Sequence, residues 1–296
     1  RQWPPREAYL SWLRSLAKEW QRILTPNGSL YVFASPQMAA HVEVMLGEMF
    51  NVIQRITWRK PPFSTKAEMF DKETCRMFFP ASEAIIFSEH PSQAPGYEQS
   101  CNGLHGQCFE SIRLYLETER QRARISKAAI NKACGFAPIA GAMASRHYFS
   151  PSQWCLPTRE HYVAMQRLFN SHGEYNYLRR EYEDLRREYE DLRRPFTVSA
   201  KVPYTDVWDF ATVPAGPGKH PCEKPLPLLR HIITASSRPG DTVLDCCAGS
   251  GSTLEAAKQC GRHAIGIEID PHWHRQAIRR LSQEQLFALD AEEGTP

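Results

Sequence analysis

The sequence has no C-x-x-C pair, although nine cysteines stand among its 296 residues. Two of them, Cys246 and Cys247, are adjacent, too close for an ordinary disulfide. That pattern suits reduced thiols in a cytosol better than a disulfide-stapled secreted scaffold or a zinc site. No apolar run approaches the roughly 20 residues a membrane span needs, and no signal peptide pattern opens the chain. A cytoplasmic protein without a membrane partner is the expectation. Charge of one sign is scarce overall: 36 Lys and Arg face 33 Asp and Glu, a net charge of +3. The excess is local. Between Arg113 and His172 nine Lys and Arg stand against three Glu, which points to an acidic partner for that segment.

What is present reads as two α/β pieces around a helical segment. Leu10, Leu13, Leu16, Trp20 and Ile23 recur at helical spacing, and the Pro26-Asn27-Gly28 turn leads into a strand over 29–34. A helix over 37–49, strands over 51–58 and 82–88, and a polar loop between them complete the first piece. From Glu110 to Pro195 the pattern is helical. A helix from Pro225, a buried strand over 242–245, a helix over 253–260, a strand over 263–269 and a last helix from Trp273 follow. The expected domains are 1–100, 101–195 and 196–296. LRREYED occurs at 178–184 and again at 185–191, so Leu178, Tyr182, Leu185, Tyr189 and Leu192 form a heptad seam. Its expected roles are packing on its own domain, a strap, or a homodimer contact through 178–194.

The densest signal is VLDCCAGSGST, from Val243 to Thr253: a strand ending in an acid, a small-residue loop, then a helix. No G-K-[ST] follows, so no lysine reaches phosphates as in a Walker loop. Leu254 stands where a dinucleotide loop would place its third glycine. Glu268, at the end of the next strand, suits ribose hydroxyls. Asp245, just before the glycines, would repel a pyrophosphate but suits an ammonium group. Adenosine joined to an amino acid fits best, which is S-adenosylmethionine.

Upstream stands HPCEKPL, from His220 to Leu226, followed by a helix, then PGDTVLD and the glycine loop, then GIEID ending at Asp270. This ordered set strongly resembles the β group of DNA amino-methyltransferases, which modify adenine-N6 or cytosine-N4. The match is dense over 220–270 and looser over 8–90. The resemblance implies a Rossmann-like α/β methyltransferase sheet, mostly parallel with an antiparallel hairpin edge, plus a helical target-recognition insert. It implies S-adenosylmethionine as cofactor, S-adenosylhomocysteine as product, no metal, and double-stranded DNA of a bacterial or phage host as partner. By resemblance, His220, Lys224 and Pro225 line the cofactor. Asp245, Cys246, Cys247, Ala248, Gly249, Ser250, Gly251 and Thr253 lie beneath its amino-acid end, with Glu268 at the ribose and Ile269 beside the adenine. Cys247 stands where the family usually has Phe, so stacking area is lost or supplied by another side chain.

The family's catalytic motif, [D/N/S]-P-P-[Y/F/W], is absent. Lys60-Pro61-Pro62-Phe63 is the nearest string, but lysine cannot accept a hydrogen bond from an amino group. Trp3-Pro4-Pro5-Arg6 has the wrong flanks. The sequence does not open on Met, and a D-P-P-Y-like motif with a further strand is expected upstream of Arg1. Within the insert, 126–134, the Gly135-Phe136 turn and 138–147 read as a helix-turn-helix, with a plain helical hairpin as the other possibility. Ser145, Arg146 and His147 are candidate base or phosphate contacts. Arg59, Lys60, Arg120, Arg122, Arg124, Lys127 and Lys132 are candidate backbone contacts. His272 and His274 lie two apart on a helix and face different ways, so no metal is expected there. The expected activity is adenine-N6 methylation of a flipped base, with three other possibilities: cytosine-N4 methylation, a DNA-binding protein that retains the cofactor fold without catalysis, and a methyltransferase of small molecules or proteins.

Overall fold

The computed structural model describes residues 5–60, 76, 78, 80–91, 107–139, 141–151, 154–171, 176–197, 205–214, 216 and 218–282. In chain order the elements are α1 (Arg6–Ile23), β1 (Ser29–Ala34), α2 (Pro36–Gly47), β2 (Asn51–Arg59) and β3 (Ser82–Glu89). A 3-10 turn at Gln107–Phe109 then leads into α3 (Glu110–Arg122), α4 (Lys127–Ala133), α5 (Met143–Phe149), α6 (Arg159–Phe169) and α7 (Tyr182–Leu192). Last come β4 (Val207–Asp209), α8 (Leu226–Ser236), β5 (Thr242–Asp245), α9 (Ser252–Gln259), β6 (His263–Gly266) and α10 (Pro271–Ser282). Among the described residues the strands form two sheets, one ordered β1-β3-β2-β4 and one of β5 and β6, whose pairing is parallel. The expected α/β class holds, and among the described residues its strands are divided between these two sheets. β2 and β4 also pair in parallel, Trp58 opposite Trp208. No helix among the described residues is long and apolar enough to cross a membrane.

The chain divides into two compact units, residues 1–55 with 85–194, and residues 56–84 with 195–296. In the first, α2 starts on a proline whose fixed φ suits a first helical position, and it buries Ala39, Val42, Met45 and Leu46 on one face. Ile85, Ile86 and Phe87 of β3 are all buried, the continuous apolar run of a strand with a neighbour on each side. The helical core gathers Ile112, Leu116, Ile130, Tyr162, Met165, Phe169, Leu178 and Leu185, with Trp154 and Leu168 packed against it. Ser126 and Thr158 cap α4 and α6, each side chain accepting a backbone N–H in the first turn.

The heptad segment departs from expectation. Only Tyr182–Leu192 is helical, and Leu178 has a left-handed φ of 49°. Its N–H donates to Glu119 at 2.8 Å and its carbonyl accepts from Gln166 at 2.8 Å, while its side chain is buried. Two helices, α3 and α6, therefore hold a turn that a leucine would not adopt unaided. Leu185 is buried and Tyr182, Tyr189 and Leu192 pack on the same core, so the seam faces inward. That corrects the homodimer expectation: the surface it required is already covered.

The helix-turn-helix expectation is also corrected. The connection between α4 and α5 runs over 134–142, far longer than the roughly three to four residues of that motif. Ala144, Ser145, Tyr148 and Phe149 of α5 are buried. Ser145 and Asn131 form a closed pair: Asn131 Oδ1 accepts the Ser145 N–H at 3.0 Å, and Asn131 Nδ2 donates to Ile139 O at 2.7 Å and to Ser145 Oγ at 3.0 Å. Ser145 is therefore a hairpin lock rather than a DNA contact. Replacing Asn131 with Ala leaves a buried N–H and a carbonyl unpaired, and should destabilise the protein by about 2–3 kcal/mol in urea unfolding. Ser145→Ala should lower stability by less and leave DNA affinity per folded molecule unchanged.

Candidate cofactor site

In the second unit, β5 and β6 deliver the glycine loop and Glu268 to the same end of a two-stranded sheet. The strand over 242–245 is not buried as expected: Leu244 of β5 is exposed, as is Ile265 of β6. Beyond β5 the loop folds on its own backbone. Asp245 Oδ1 accepts the Cys247 N–H at 3.0 Å, and Ala248 N donates to Ile267 O at 3.0 Å. Gly249 and Gly251 both take left-handed conformations, with φ of 52° and 80°. Side chains there are also crowded: a Cβ on Gly249 would lie a tight 3.2 Å from the His220 ring, and one on Gly251 would collide with the Ala277 Cβ at 2.9 Å. The loop is pinched between the HPCEKP segment and α10.

Glu268 is held by the loop it faces. One carboxylate oxygen accepts the Gly249 N–H at 2.7 Å and the other the Asp270 N–H at 2.8 Å. Each oxygen keeps a second lone pair, so the carboxylate can still accept hydroxyl protons from a ribose. Asp245 is half-buried beside it, and Ile269 is almost fully exposed at 97%. Cys246 and Cys247 occupy the near end of the loop. The Cys247 thiol is pushed up by its hydrogen bond with Cys246, by burial and by the charges of Asp245 and Glu268, so it stays protonated. Thr253 lies half-buried in α9, and Gly249, Ser250 and Gly251 are buried.

The HPCEKP segment divides its work. His220 packs on Gly249, meets Trp273 edge-on at 4.7 Å between ring centroids, and takes the Cys222 N–H on Nδ1 at 3.2 Å. Pro225 is buried. Lys224 donates to Cys222 O at 3.3 Å and sits 3.4 Å from Glu83, which also pairs with Lys60 at 2.6 Å. Both ammonium groups lie over the Trp58 ring, at 5.4 and 5.9 Å. Lys224 thus clamps a turn, a role its motif position did not disclose. Glu223 and Arg280 were also missed: Ser250 Oγ donates to Glu223 at 2.8 Å, and Arg280 pairs with Glu223 at 2.9 Å. Glu223 stood at a variable position of the motif, and no local spacing links it to Arg280.

Several expected DNA contacts already have partners. Arg59 grips Asp209 with two hydrogen bonds of 2.5 Å, and Lys60 is held by Glu83. Arg120 pairs with Glu117 at 2.6 Å and donates to Ile125 O, while Arg122 pairs with Glu119. Arg124, Lys132 and Arg146 are exposed, and Lys127 and His147 are half-buried. Pro61, Pro62, Phe63, Trp3 and Pro4 lie outside the described residues.

The glycine loop and Glu268 thus meet beyond the same ends of β5 and β6. A family model for N6 and N4 DNA methylases matches residues 2–279; the chain belongs to this DNA methylase family. It is 48% identical over 93 residues to the DNA adenine methyltransferase YhdJ of Escherichia coli, 30% of this chain and 31% of the relative. It is 46% identical over 67 residues to the type II methyltransferase M2.DpnII of Streptococcus pneumoniae, 23% of this chain and 25% of the relative. Each matched stretch thus spans a third or less of the relative's length. The fold is similar to that of the M1.HpyAVI–SAM complex, with a TM-score of 0.51, 18% identity, and coverage of 95% of this chain and 86% of the other. It is also similar to the cytosine-N4-specific PvuII DNA methyltransferase, with a TM-score of 0.51, 13% identity, and coverage of 97% and 76%.

Burial raises the Glu83 and Glu223 carboxyls, but their cationic and hydroxyl partners outweigh it and hold both below the ordinary carboxylate value. A depressed folded-state pKa stabilises above the unfolded value of about 4.3 and loses that contribution as pH falls through the folded value. Melting temperature should therefore hold above about pH 5 and fall in more acid buffer. Glu83→Gln should melt lower at neutral pH yet show a flatter acid limb in calorimetry from pH 7 to 3.

Proposed function

We propose that the chain is part of a DNA methyltransferase that uses S-adenosylmethionine and acts on the adenine-N6 amino group of a base extruded from duplex DNA. The observation that carries this reading is the glycine loop braced against Glu268, with Asp245 at the end of β5. The donor set suits the cofactor: Asp245 for its ammonium, Glu268 for its ribose, exposed Ile269 for the adenine face. Bound S-adenosylmethionine supplies an electrophilic methyl on a sulfonium. Around it, His220, Pro225, Ala248, Gly249, Ser250, Gly251 and Thr253 shape the walls. Cys247 stands where the family usually places a ring, and Trp273, edge-on to His220, is an aromatic surface that can compensate. Lys224 acts by holding the turn.

Residues 196–296 form the cofactor-binding half in this reading, and 101–195 face DNA. Arg124, Lys132 and Arg146 are assigned to phosphates, because exposed cations can release counterions on binding, and half-buried Lys127 is assigned with them by its place on α4. Adenine is preferred over cytosine because the relative at 48% identity is named an adenine methyltransferase. The cytosine-specific likeness is one of fold.

Cofactor binding is the first test, since it needs only residues of this chain. Equilibrium dialysis should show saturable binding of labelled S-adenosylmethionine, weakened at least about tenfold by Asp245→Ala, the size of one charge-assisted contact. Absence of saturable binding to the folded chain would overturn the reading. The methylated nucleoside made by the full protein on duplex DNA decides the target: methyl on adenine-N6 supports it, and methyl on cytosine-N4 overturns that part.

A further inference from the structure

The glycine loop has little to hold it from within. Gly249 and Gly251 carry no side chain, and Ser250 between them turns its own into the protein, where it is buried. There Ser250 Oγ donates to one Glu223 oxygen at 2.8 Å. Arg280 Nη1 donates to the other Glu223 oxygen at 2.9 Å and also reaches Ser250 Oγ at 3.3 Å and Ser250 O at 3.5 Å. Arg280 Nε pairs with Glu255 of α9. The Glu223 side chain is 4% exposed. One guanidinium therefore ties together the HPCEKP segment, the loop, α9 and α10. These are the same parts that pinch the loop through His220 and Ala277.

Building on the cofactor reading above, we propose that Arg280 is a positioning residue of the cofactor site, acting through Glu223 and Ser250 to keep the loop closed against Glu268. Without the guanidinium, Glu223 is a buried carboxylate lacking its countercharge, and such a group moves toward water. Ser250 then loses its acceptor, and the loop loses the link between its two plates. The Gly249 N–H no longer aims at Glu268, and the carboxylate meant for the ribose loses its orientation. Lysine at 280 can reach one carboxylate but cannot fork across Glu223 and Glu255.

The test compares S-adenosylmethionine and duplex DNA affinities of the wild type, Arg280→Met and Arg280→Lys, with thermal melting on each. Arg280→Met should bind the cofactor about 10- to 100-fold more weakly, the size of one or two charge-assisted hydrogen bonds. DNA affinity should stay within about twofold, as for a distant independent site. Arg280→Lys should recover part of the loss. The proposal is overturned if folded Arg280→Met binds the cofactor as the wild type does, or if the folded variant loses cofactor and DNA affinity alike. Should Arg280→Met not fold, Ser250→Ala is read in its place: weaker cofactor binding at unchanged DNA affinity supports the proposal, and unchanged cofactor binding overturns it. A wild type that binds no cofactor overturns the underlying reading instead.

Discussion

A loop that lets a ligand approach backbone closely must give up side chains, and a loop without side chains cannot hold its own shape. That constraint organises the second unit. Between Asp245 and Ser252 the backbone makes two left-handed turns that glycine alone adopts without strain, and Ser250 is the single side chain reaching out from between them. Stability comes from outside: Glu268 takes the Gly249 N–H, His220 and Ala277 close on the two glycines, and Glu223 with Arg280 anchors Ser250. The motif residues are thus less a set of ligand contacts than a frame around a bare stretch of chain.

Charge in this protein is largely used to join elements. The basic excess of the helical segment suggests a broad DNA-facing surface, yet Arg113, Arg120 and Arg122 are matched by Glu110, Glu117 and Glu119 three residues away on the same helix. Such pairs contribute only a few tenths of a kcal/mol when exposed. Partly buried, as at Arg120, they also fix where the cation points, and it points inward. The exposed cations of this segment without a partner on their own helix include Arg124, Lys132, Arg146 and Arg167. A count of charges overstates the surface, because the sum does not record which charges already face one another.

The elements at both ends of the chain were legible because hydrophobic period and turn chemistry are local. Strand β1 after the Pro-Asn-Gly turn, helix α2 starting on its proline, and the strand-loop-helix at Asp245 fall within a residue or two of the pattern. The meeting of the loop with Glu268 was legible for the same reason: the acid stands at the end of the next strand. The heptad misled because LRREYED repeats in sequence while its surroundings do not. Glu119, Tyr162 and Gln166 hold Leu178 and Arg180 in a turn, so the helix begins only at Tyr182, late in the first repeat.

By itself the sequence determined where the glycine loop lies and in what order the family's segments arrive, since those depend on short spacings and on backbone freedom at named glycines. Tertiary structure alone decided what each polar side chain does. Lys224 and Lys60 share Glu83, Ser145 closes on Asn131, and Arg280 reaches Glu223 across 57 positions of chain. A buried polar group must find a partner, and which partner is nearest is settled by folding rather than by spacing. The same lysine, serine or arginine can read as a ligand contact in one dimension and serve as a fastening in three.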